Sequence, residues 1–198
     1  MSIEHFPDEQ DKFFKRIFGG ISFSGERPGF ICIIGELRQP GANRFILLDE
    51  FESFDSEALI RRAGAFDVYY RPEKWLSGEL DKATNKLLLE FNKGLDPRQV
   101  GRHLRIIPSR IKGLEDELFK YCFPKLRKMI GPQGDLDISK AKLLLNYMSL
   151  PQDSEIGGIK FGDYPAIEAA IFCINDLEVA GDISGKQYDT VDNEYRMI

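Results

Sequence analysis

Three apolar runs crowded into residues 16–51 set the tightest limit on what this chain can fold into. Residues 16–25 (RIFGGISFSG), 29–37 (GFICIIGEL) and 44–51 (RFILLDEF) are rich in Ile, Phe and other strand formers, and turn residues separate them: Gly25 after the first, Gln39-Pro40-Gly41 after the second. Connections this short cannot carry a parallel crossover, so the runs predict an antiparallel three-stranded meander.

The pattern then changes. Asp55 or Ser56 can cap a helix over SEALIRRAGAF, with Gly64 near its end, and DVYY (67–70) reads as a fourth strand stopped by Arg71-Pro72. Residues 79–92 put Leu80, Ala83, Leu87 and Phe91 on one helical face and end at Gly94; HLRII (103–107) reads as a fifth strand halted by Pro108. A helix is predicted from about Ser109, with Ile111, Leu114, Leu118 and Cys122 on one face, until Pro124 breaks or kinks it. Another is predicted from Asp137-Ile138-Ser139 through Met148, and, after a loop at 151–162, DYPAIEAAIFCINDLEVAG forms a terminal helix. The order is β-β-β-α-β-α-β-α with further helix, an α/β class.

A chain of 198 residues with 42% apolar residues and 15 Phe can bury one substantial core but not comfortably two. The expected organisation is a single domain over 1–198, with a polar arm at about 1–14 and a loose tail at about 182–198. No apolar run reaches the roughly 18 residues that span a bilayer, and the acidic start MSIEHFPDEQDKFF does not read as a signal peptide. Cys32, Cys122 and Cys173 are odd in number, distant and set among apolar neighbours, so they read as small buried hydrophobes in a reducing, cytoplasmic setting.

A net charge of -5 argues mildly against a dedicated nucleic-acid binder, but the charge is unevenly spread. Residues 98–128 hold nine Lys or Arg against three acids, which leaves the remainder strongly acidic. Arg98, Arg102, Arg105, Arg110 and Lys112 crowd the fifth strand and the start of the next helix, either as a face for DNA phosphates or as solvated surface. His5 and His103 have no partners at zinc-ligand spacing and no place in a Ser-His-acid group, and no GxxxxGK[ST] phosphate loop exists. Recognisable zinc, triad and ATPase-motor chemistry are thus set aside.

Three antiparallel strands followed by two strands each reached through a helix resemble the ribonuclease-H-like arrangement, over about Ile17 to Leu177. The stretch GDYPAIEAAIFCIND is similar to the terminal-helix signature of the nuclease domain of phage large terminase subunits, which package viral DNA. The resemblance implies a mixed five-stranded sheet of order 3-2-1-4-5 flanked by helices, with the terminal helix beside the first strand. It also implies a DNA endonuclease that uses two ions of Mg²⁺ or Mn²⁺, held by acids on the first strand, near the end of the fourth and on the last helix. Glu73, just after DVYY, is the fourth-strand acid on this reading. Asp163 and Glu168 are the terminal-helix acids, although an acid at a helix start is also ordinary capping.

The first strand departs from the pattern. Ser22 or Ser24 stands where an acid is expected, and a hydroxyl is a poor substitute for an anionic ligand to a hard cation. Other acids could compensate as metal ligands: Asp49, which strand alternation sets with Phe45, Leu47 and Phe51, or Glu50, and Glu36 on the face of Phe30, Cys32 and Ile34; Asp49 and Glu36 are as readily strand-end residues meeting solvent. The implied partners are double-stranded DNA and a terminase motor or portal component, in a bacterial host cell and of phage or prophage origin. A different class of reading is a noncatalytic ribonuclease-H-like module that binds nucleic acid or a packaging partner, which the missing first-strand acid favours. An unrelated α+β interaction domain is the third.

Overall fold

The computed structural model describes residues 10–23, 27–39, 41, 43–95, 103–108, 123–130, 134–148 and 164–179. In chain order these form α1 (Gln10–Phe13), β1 (Phe14–Ser22), β2 (Gly29–Leu37), β3 (Phe45–Ser53), α2 (Ser56–Tyr70), β4 (Lys74–Ser77), α3 (Lys82–Gly94), β5 (Ile106–Pro108), α4 (Phe123–Ile130), β6 (Leu136–Asp137), α5 (Leu143–Met148) and α6 (Pro165–Val179). The strands make one sheet of order β5-β4-β1-β2-β3-β6. β1, β2 and β3 pair antiparallel as the short connections require, whereas β4 joins β1, and β5 joins β4, in parallel. The order 3-2-1-4-5 is therefore observed. A sixth strand is added outside β3, where Phe45 and Ile46 pair with Leu136 and Asp137.

Three local expectations need correction. DVYY is the last turn of α2, not a strand; the fourth strand is KWLS, four residues further on. Gly64 does not end the helix, because its missing side chain is what lets the Phe91 ring of α3 lie against α2. The stop is Arg71, in the left-handed region at φ 48°, whose N–H bonds to the Asp67 carbonyl at 3.1 Å ahead of Pro72. Asp137 does not open a helix either. It closes β6, and its carboxylate accepts from the Ser139 N–H at 2.8 Å, so that α5 begins only at Leu143. Pro124 lies in the first turn of α4, where a missing amide donor costs least; the helix expected over 109–122 falls outside the described residues.

The sheet divides two apolar layers. On one face Phe18, Cys32, Ile34, Phe45, Leu47 and Leu76 pack with α6. On the other, Ile17, Ile21, Ile31, Ile33 and Trp75 pack with Leu59, Ile60, Ala63 and Phe66 of α2. In α6 every residue from Ala166 to Ile174 is buried, as a helix must be that has the sheet on one side and α4 and α5 on the other. Fully burying each of its Ile and Phe side chains contributes about 1.5–3 kcal/mol. A methyl group at Gly20 would run into the Ala169 carbonyl oxygen, so the glycine brings the backbone of α6 directly onto β1. Cys32 of β2 and Cys173 of α6 are free thiols buried in this seam, with their Sγ atoms 3.8 Å apart.

Candidate functional site

The last residue of β1 and the first turn of α6 meet at the C-terminal end of the sheet's centre. There the Ser22 hydroxyl donates to Glu168 Oε2 at 2.5 Å, with Ser22 1% and Glu168 0% exposed. The contact follows from local geometry. Along β1, side chains alternate between the layers: Phe18 faces α6, Ile21 faces α2, and Ser22 returns to the α6 side. Tyr164 leads into α6 and accepts the Glu168 N–H at 3.0 Å, while its ring lies under the Arg27 guanidinium at 5.3 Å.

On the neighbouring strand, Ser77 pairs with Ile21 and shares its α2 side; its hydroxyl donates to the Gly78 carbonyl at 2.7 Å. Continuing that parallel register by one residue sets Gly78, without a side chain, opposite Ser22. Glu79 comes next and is exposed. Once the fourth strand is assigned to KWLS, Glu79 is the acid that follows it. The signal was available in the sequence: Trp75 and Leu76 are the apolar pair of that strand, whereas Arg71-Pro72 ends a helix as readily as a strand.

The other acids singled out from the sequence are scattered. Glu73 precedes β4, is exposed, and its N–H donates to the Ile17 carbonyl at 2.8 Å, five residues before Ser22 along β1 and so about 16 Å away at 3.3 Å per strand residue. Asp49 is on the wrong face. Ile33 pairs with Asp49 but Ile34 with Leu47, so the register slips at Leu48 and alternation reverses beyond it. Asp49 consequently turns to the α2 layer, where it accepts from the Tyr70 hydroxyl at 3.0 Å, while burial and the neighbouring Asp49 charge push the Tyr70 phenol well above its usual range. The same slip brings Glu50 to the α5 side. Its carboxylate takes the N–H groups of Lys142 at 2.5 Å, Leu143 at 2.7 Å and Leu144 at 3.0 Å, which makes it the N-terminal cap of α5.

Glu36 is buried between two arginines: Arg16 donates to Oε2 at 2.8 and 2.5 Å, Arg44 to Oε1 at 2.9 and 2.7 Å, and Lys15 lies 3.7 Å away. Burial pushes its carboxyl up, but the arginine hydrogen bonds and charges outweigh that and hold it below the usual carboxylate range. Asp163, Ser24, Arg98, Arg102, Arg110 and Lys112 lie outside the described residues. Arg105 is exposed just before β5.

A two-ion centre needs several anionic oxygens converging on one space. Among the described residues no three His, Cys, Asp or Glu side chains gather to hold a metal ion. The first-strand position offers a neutral hydroxyl that donates to Glu168, and α6 meets β1 at Gly20 without an intervening layer. The donor set that is described does not fit the group.

A mixed sheet with three antiparallel strands, two parallel strands beyond β1 and a terminal helix on that central strand is the ribonuclease-H-like fold. No protein-family model and no curated protein sequence matches the chain. Among solved structures it is similar to the nuclease domain of the large terminase of bacteriophage SPP1, crystallised with bound Mn, at a TM-score of 0.51 and 11% identity over 89% of this chain and 94% of that one. The fowlpox virus resolvase in complex with Holliday junction DNA matches at a TM-score of 0.47 and 12% identity, over 83% of this chain and 98% of that one. No helix among the described residues is long and apolar enough to cross a membrane.

Proposed function

We propose that this chain is a noncatalytic ribonuclease-H-like module of the terminase type, binding double-stranded DNA in a viral packaging setting. The observation that carries the reading is the Ser22–Glu168 contact: the last-helix acid accepts a bond from a buried serine where a nuclease of this fold is expected to have another acid. Arg105, exposed beside β5, and the basic residues Arg98, Arg102, Arg110 and Lys112 supply the phosphate-contacting face. A terminase motor or portal component is the protein partner, and the host cytoplasm the setting, that accompany this reading.

The catalytic reading, an endonuclease using Mg²⁺ or Mn²⁺ with Asp163, Glu168 and a fourth-strand acid, keeps one observation in its favour. Reassigning the strand puts Glu79, rather than Glu73, just past the end of β4 that lies next to Ser22. One experiment separates the two. Duplex DNA binding should be measured against salt in EDTA and in Mn²⁺, with plasmid nicking followed in parallel. The binding reading expects affinity that falls steeply with salt, is indifferent to Mn²⁺, and is weakened by Arg105→Ala and Lys112→Ala. Mn²⁺-dependent nicking lost in Asp163→Asn would overturn it, and so would absence of DNA binding at low salt.

A further inference from the structure

We propose that Ser22 and Glu168 form a fastener between β1 and α6, converting the place where the resemblance sets metal-binding acids into part of the protein core. The inference deepens the binding reading, yet it does not depend on DNA affinity. Four observations support it. Both side chains are withdrawn from water, and a buried carboxyl is retained only where donors meet it; the Ser22 hydroxyl is such a donor. Two residues earlier on the same strand, Gly20 lets the Ala169 carbonyl sit where a side chain would otherwise be, so strand and helix touch through backbone.

A hard divalent cation usually keeps several of its waters, whereas at Gly20 strand and helix touch with no space for a layer between them. Continued one residue past its last pair, Ile21 with Ser77, the parallel register sets Gly78 opposite Ser22, and glycine supplies no oxygen from a side chain. Finally, three acids of β2 and β3 that could compensate are engaged elsewhere: Glu36 by Arg16 and Arg44, Glu50 by the start of α5, Asp49 by Tyr70 on the far face. Glu168 therefore acts as a positioning residue for the sheet–helix seam.

Thermal unfolding of the full chain tests this. Wild-type protein should melt at the same temperature in EDTA and in millimolar Mn²⁺. Ser22→Ala should lower Tm by roughly 3–8 °C. Glu168→Ala should lower it further because it also leaves a void, and the double variant should lose less than the sum, since the second deletion removes a contact already broken. Ser22→Asp would set two carboxylates within hydrogen-bond distance; it should melt well below wild type in EDTA and stay there in Mn²⁺. A wild-type Tm that rises with Mn²⁺, additive losses in the double variant, or a Ser22→Asp protein as stable as wild type in EDTA would each overturn the fastener. Loss of DNA binding with these melting results unchanged would remove the binding reading and leave the fastener standing.

Discussion

Glu36 shows how one buried carboxylate can organise one end of a sheet. Two guanidinium groups and an ammonium converge on it from β1 and from the start of β3, so its charge is worth more to the folded chain than to the unfolded one. Its folded pKa is depressed, hence the stability it contributes is complete above the ordinary carboxylate range and is lost as pH falls through the depressed value. Glu36→Gln should cost about 2 kcal/mol at neutral pH, because it leaves two arginines facing a neutral group. The cost should shrink on acidification, which urea melts at a series of pH values would show; a cost that does not vary with pH would refute the assignment. At this scale the sequence was partly legible. The resemblance singled out Ser22 or Ser24 on the first strand, and the terminal-helix motif located Glu168. Asp49 was misplaced because its face depends on a register slip at Leu48 that no residue type announces.

Secondary-structure elements here are set as much by partners from elsewhere in the chain as by their own residues. The six-residue α5 is too short to be stable alone, and Glu50, 93 residues earlier than Leu143, receives its first amides. Glu50→Ala should destabilise the protein by about 1–2 kcal/mol, with faster amide exchange at Leu143 and Leu144 as the local signature. Unchanged exchange there would show that the cap contributes nothing. The same dependence on distant contacts explains why α2 was read too short. Gly64 signals an end in isolation, but in the fold it is the notch for Phe91, and Asp67, polar and inside the helix, is held by the Trp75 indole N–H at 2.9 Å. β6 was invisible for a related reason: a two-residue strand has no periodicity and exists only because the outer edge of β3 is there to pair with it.

For the molecule as a whole, the order of the sheet was legible because it follows from connection lengths. Short links force the β1–β2–β3 meander, and a helix between successive strands allows the parallel additions of β4 and β5. How closely α6 is laid on β1 was not legible, since it rests on the approach of the Ala169 carbonyl to Gly20 from a distant part of the chain. The thiols in the α6 seam make that closeness measurable in time. Cys32 and Cys173 face each other from the two sides and neither reaches solvent, so a thiol reagent can meet them only when the helix lifts from the strands. In a Cys122→Ser background, labelling should therefore proceed with both sulfurs reacting at one shared rate, and that rate should climb when Ser22 is replaced by alanine. Two separate rates would mean that the seam opens piecemeal; a single one makes the cysteine pair a clock for the undocking of the helix on which this fold is closed.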